Sequence, residues 1–158
     1  MAQRAAFPGS SLLMAVLTGG LVAGTLDIGA AALINGVSPA FIVRFVAGGL
    51  LGKDALAGGV AVAALGFALQ LGMSLLIAAV YAGIAGRLGW LRRRWLTAGL
   101  AYGVVVFFVM NYVVMPLSAW ARWPRFTAAS FGWNMLAMLV FGVIVAFFAR
   151  HRLAATPR

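Results

Sequence analysis

"SLLMAVLTGGLVAGTLDIGAAALIN" occupies residues 11–35, and Asp27 is its only charged residue. Between Leu12 and Ile34, all but Asp27 and two threonines is apolar or glycine. A helix crosses the ~30 Å hydrocarbon layer with ~20 residues at ~1.5 Å rise each. The stretch therefore reads as a membrane-spanning helix, and the chain as an integral membrane protein. Asp27 is one of only two acids in the chain, the other being Asp54.

Composition agrees. Of 158 residues, 65% are hydrophobic and 9% charged. A soluble domain has too few polar groups here to cover its core. The net charge of +10 comes from short basic clusters between apolar runs. That is the pattern of membrane anchoring, not of a nucleic-acid surface, so no nucleic-acid partner is expected. Eleven arginines to one lysine, with abundant Ala, Gly and Val, suggest a GC-rich bacterial source.

Three further apolar segments follow, at about 55–86, 96–118 and 128–149. The expected fold is all-α, a single polytopic domain with four transmembrane helices. The second segment exceeds a single span, so it is expected to tilt or project. Pro116 is expected to end or kink the third. "SPAFIVRFVAGGLLGKD", residues 38–54, is too short to cross. Ser38 suits an N-cap and Pro39 a first turn, with Gly48, Gly49 and Gly52 ending the helix. A short interfacial or re-entrant helix over about 39–51 is expected.

Bases set the orientation. Arg4, Arg87, Arg92, Arg93, Arg94, Arg150, Arg152 and Arg158 fall on the terminal side, against Arg44, Lys53, Arg122 and Arg125 on the other. The positive-inside rule puts both termini in the cytoplasm of a bacterial inner membrane. Trp90 and Trp95 would mark the inner interface, Trp120 and Trp123 the outer one. Arg4 followed by an apolar run resembles a signal peptide, but the run continues to Leu33, so an uncleaved first helix is expected. The "LRRRW" run, 91–95, suits lipid headgroups through Arg92, Arg93 and Arg94.

Small residues recur at helical spacing. Gly20, Gly24, Asp27 and Ala31 share one face of the first segment; Gly59, Ala63, Gly66 and Gln70 share one of the second. Ser130, Asn134 and Ala137 form a third stripe. Such faces let helix backbones approach closely in lipid, so Gly20, Gly24, Gly59 and Gly66 are expected packing positions. The pairs Gly20/Gly24 and Gly99/Gly103 serve either packing within the chain or contact with a second copy.

Depth groups the polar residues. Asp27, Asn111 and Asn134 each lie about four residues, ~6 Å, outward of their segment midpoints, and Gln70 lies about a turn away. Asn111 sits ~80° around its helix from Gly103. An ionised Asp costs about 2.5–3.5 kcal/mol at a helix centre in lipid, so Asp27 requires protonation, an amide partner, a cation or water. Arg44 is the candidate cation. Asp27 then serves as a polar packing clasp, a proton- or cation-coupling site, or a contact for substrate or partner.

Catalysis has little to work with. No cysteine is present, and the single histidine, His151, lies in a basic tail. No Ser/His pair, carboxylate pair or acidic magnesium cluster is available in the membrane. No metal, cofactor or enzymatic activity is expected.

"GTLDI" (24–28), "SPAFIVRFVAGGLLGKDA" (38–55) and "MNYVVMPLS" (110–118) resemble a family of small four-helix bacterial inner-membrane proteins that carries no established activity. The likeness covers residues 12 to 150. A looser similarity links the chain to small multidrug-resistance transporters, which also have four helices and one acid in the first. This chain departs from them in having Asp for Glu, an added 38–54 element and no matching aromatic motif in the third helix. Two functions are therefore expected as alternatives: a structural or accessory subunit of a homo-oligomer or larger membrane complex, or a small transporter or channel using Asp27.

Overall fold

The computed structural model describes residues 9–154, which are predominantly helical. Arg4, the signal-peptide reading attached to it, and Arg158 lie outside the described residues. The elements are α1 (Gly9–Asn35), α2 (Pro39–Leu51), a 3-10 turn (Lys53–Ala57), α3 (Val60–Arg87), α4 (Gly89–Arg93), α5 (Trp95–Val109), a π turn (Met110–Val114), α6 (Met115–Leu117) and α7 (Ala128–Ala154). Four helices are long and apolar enough to cross a membrane: Ser10–Asn35, Val60–Arg87, Trp95–Leu117 and Ala128–Leu153.

Local chemistry sets the boundaries. Gly36, at φ 63, ends α1, and Val37 N–H reaches back to Ala32 O at 3.0 Å. This left-handed C-terminal cap favours glycine. Ser38 caps α2, its Oγ accepting from Phe41 N at 3.2 Å, with Pro39 in the first turn. Only Gly52, at φ 78, stops α2, whereas Gly48 and Gly49 lie inside it. The second long helix begins at Val60 rather than near residue 55, because Gly58 and Gly59 take extended conformations before it. Pro116 has no N–H for the Tyr112 carbonyl, and the widened π turn directly precedes it. The last helix continues five residues beyond the expected end, to Ala154.

α1 packs against α3 and α7, α7 against α5, and α2 against α3; α3 and α5 lack a comparable interface. Glycines set these contacts. A Cβ at Gly20 would fall 2.9 Å from Leu75 Cα, and one at Gly24 2.7 Å from Ser74 Cβ. A Cβ at Gly99 would lie 2.9 Å from Gly142 O, and one at Gly103 2.8 Å from Leu139 Cα. Both GxxxG pairs are thus engaged within the chain. A Cβ at Gly66 would collide with the Val43 carbonyl of α2. Gly59 does not join them: it is exposed and meets nothing within 4 Å.

The inside of the bundle is small and the outside large. Ala15, Ala23, Ala78, Ala82, Ala85, Ala146 and Ala149 are buried, while Leu33, Leu76, Val105 and Trp133 are more than half exposed. Large apolar side chains turned outward are the reverse of a soluble core and fit a lipid-facing surface.

α2 is pinned from two sides. Val43 and Ala47 face Gly66 of α3. On the other flank, Trp120 stacks on Phe45 at 4.7 Å, donates from Nε1 to Phe45 O at 3.0 Å and lies against Gly48. Trp120 is therefore a clamp on α2, not a free interfacial ring like Trp123, which is 67% exposed. The Arg122 guanidinium sits over both the Phe45 and Trp120 rings, at 5.2 and 5.0 Å.

Candidate functional site

The close α1–α3 contact sets the register of the site. With Gly24 seated on Ser74, Asp27 comes level with Gln70 one turn further along. Gln70 Nε2 donates to Asp27 Oδ2 at 2.9 Å, and Ser74 Oγ donates to the Gln70 backbone carbonyl at 2.8 Å. Opposite, Asn111 Nδ2 donates to Phe107 O at 2.9 Å and Asn134 Nδ2 to Ser130 O at 2.7 Å. Each asparagine thus commits a donor to its own helix and keeps its side-chain oxygen free.

The structure brings Asp27, Gln70, Asn111 and Asn134 around one cavity of about 100 Å³ in the α2 half of the bundle. Met73, Ser74, Met110 and Met138 share its lining. The space lies where α3 and α5 lack a close interface. Towards the terminal end the gap is bridged by Tyr102, whose hydroxyl donates to Ile77 O at 2.7 Å and whose ring lies 5.0 Å from Tyr81. Asn111 reaches the cavity despite its angular offset, from the π turn ahead of Pro116.

The wall is rich in acceptors. Asp27 Oδ1 and the side-chain oxygens of Gln70, Asn111 and Asn134 accept no hydrogen bond from the described residues, and none is fully buried. A cavity of about 100 Å³ with several polar groups on its wall has room for water. The arrangement can hold water, or a cation that replaces water at a carboxylate and amide oxygens.

Arg44 does not meet Asp27. Its Nη1 donates to Leu56 O at 3.4 Å, and its buried Nε has no hydrogen-bond partner among the described residues. The cause is geometric. Val43 faces α3, and Arg44 is turned ~100° from it, towards the 3-10 turn. The basic triplet also divides: Arg92 is half-buried and donates from Nη1 to Leu153 O at 3.4 Å, near the C-terminal end of α7, while Arg93 and Arg94 are exposed. A cation there complements the helix dipole. Ala137 lines a separate apolar groove of about 480 Å³ between α1 and α7, with Leu33, Trp133 and Val140. His151 is exposed and stacks on Phe147 at 5.4 Å. Among the described residues, no three His, Cys, Asp or Glu side chains are grouped for a metal ion.

Sequence reasoning missed Ser74 and the three methionines. Met73 and Met138 each lie one turn beyond an amide, and Met110 adjoins one, a spacing visible in the sequence. No family model, curated protein or solved structure matches this chain.

Proposed function

We propose that this chain is a small multi-pass protein of the bacterial inner membrane in which Asp27 takes up a small cation, a proton included, as the binding step of a transporter or channel. The cavity carries this reading: Asp27, one of whose carboxylate oxygens is held by Gln70, lines a space edged by three amide side chains. An ionisable side chain that faces a cavity inside a helical bundle is characteristic of an ion or proton pathway. Sidedness follows from charge. Arg87, Arg92, Arg93, Arg94, Arg150 and Arg152 lie at the terminal end, against Arg44, Lys53, Arg122 and Arg125 at the α2 end. The termini are then cytoplasmic, and the cavity belongs to the outer half of the membrane. The reading is non-enzymatic.

The test is flux in proteoliposomes. A gradient of protons, of sodium or of a soft monovalent ion such as Ag⁺ should drive uptake by the wild-type chain and fail with Asp27→Asn. Equal flux in both would remove the proposal.

One observation favours an accessory structural role instead: Gln70 and Asp27 join α1 to α3 beside two glycine contacts. Under that reading Asp27→Asn, which preserves an acceptor for Gln70, keeps both fold and partner binding, and the liposomes show no flux.

A further inference from the structure

Three methionines from three helices line the Asp27 cavity: Met73 of α3, Met110 at the start of the π turn and Met138 of α7. All three are half-buried. The aromatic residues sharing the lining are not open in the same way. Phe107 is 0% and Phe141 4% exposed, and the Phe107 ring is surrounded by those of Phe108, Phe126 and Phe131 at 5.2–5.6 Å. Beside the aliphatic Ile77 and Val106, the groups this wall offers a cation are thioether sulfur and oxygen rather than open aromatic faces. An organic ammonium ion held by ring faces does not suit it.

Thioethers are soft, uncharged ligands. They favour monovalent copper and its analogue silver over hard cations, which prefer oxygen alone. Charge balance points the same way. One carboxylate neutralises a monovalent ion, whereas a divalent ion would leave a net positive charge within lipid.

We infer that the cavity is a binding site for a soft monovalent metal ion of the copper(I) class, with Met73, Met110 and Met138 as sulfur ligands and Asp27 as the balancing carboxylate. This rests on the reading of the cavity as a cation site and specifies the ion.

The test titrates Ag⁺, a redox-inert probe for this class, into the full-length chain in lipid nanodiscs, in chloride-free buffer, by calorimetry. The wild-type chain should bind one Ag⁺ saturably. The M73L/M110L/M138L variant should bind at least ~10-fold more weakly, the lower range for loss of even a supporting group at a metal site. Leucine nearly preserves methionine's volume, so the fold should persist, with a monodisperse elution profile as the check. The M14L/M115L/M135L variant should bind as the wild type does. Failure of the wild type to bind Ag⁺, or equal losses in the two triple variants, overturns the inference. If Ag⁺ does not bind while sodium flux still depends on Asp27, the thioether site is wrong and the Asp27 reading stands.

Discussion

Gln70 Nε2 donates to Asp27 Oδ2 at 2.9 Å, joining α3 to α1 in the α2 half of the bundle. The bond exists because Gly24, one turn before Asp27, leaves room for Ser74, one turn after Gln70. Interhelical hydrogen bonds of this kind average about 0.6 kcal/mol, with a maximum near 1.7. A double-mutant cycle of Asp27→Leu and Gln70→Leu, read by thermal unfolding in detergent, should give a coupling in that range. Simple additivity would mean that the bond does not form.

The glycines should separate into two classes. Gly66→Ala forces a methyl group into the Val43 carbonyl and should cost about 1–3 kcal/mol, as overpacking does. Gly72→Ala, on the same helix with nothing within 4 Å, should be neutral or stabilising by up to about 1 kcal/mol. Unfolding curves of the two variants measure the difference, and equal effects would contradict the α2–α3 contact.

Trp120 should control the mobility of α2. Trp120→Phe keeps most of the stacking but loses the hydrogen bond to Phe45 O, at about 0.5–1.5 kcal/mol. Trp120→Ala removes both, in the range of about 3–5 kcal/mol for such truncations. Hydrogen exchange should rise over residues 39–51 in both variants, more strongly in the alanine, and stay unchanged in α7. Exchange in α2 at wild-type rates would show that the clamp has no effect.

The four long apolar helices were legible because a segment able to cross lipid leaves a chain little choice. Each spanning segment must satisfy its own backbone, so length and hydropathy suffice to find it. Depth was legible for the same reason, since a constant rise per residue placed Asp27, Gln70, Asn111 and Asn134 near one level. Rotation around a helix was less so: Asn111 reached the cavity from an angle that straight-helix counting disfavoured, in a turn widened ahead of Pro116. Contacts set by docking were not legible. Arg44 faces Leu56 because Gly66 and Trp120 together fix the roll of α2, and neither partner is near it in sequence. Gly59 shared the spacing of Gly66, but Gly58 and Gly59 are extended and α3 starts only at Val60, so Gly59 stands before the helical face. The methionines were not legible because their chemistry matters only once three helices bring them to one cavity.

Water reaching the carboxylate is the claim on which the functional account turns. The chain has no cysteine, so a single introduced thiol reports its own surroundings. Asn134→Cys and Asn111→Cys should react with a small charged methanethiosulfonate added to the chain in lipid nanodiscs, at rates well above that of Ala146→Cys, which replaces a residue 0% exposed. If the two cavity thiols react no faster than the one at position 146, the site is dry and the cation reading of Asp27 is wrong.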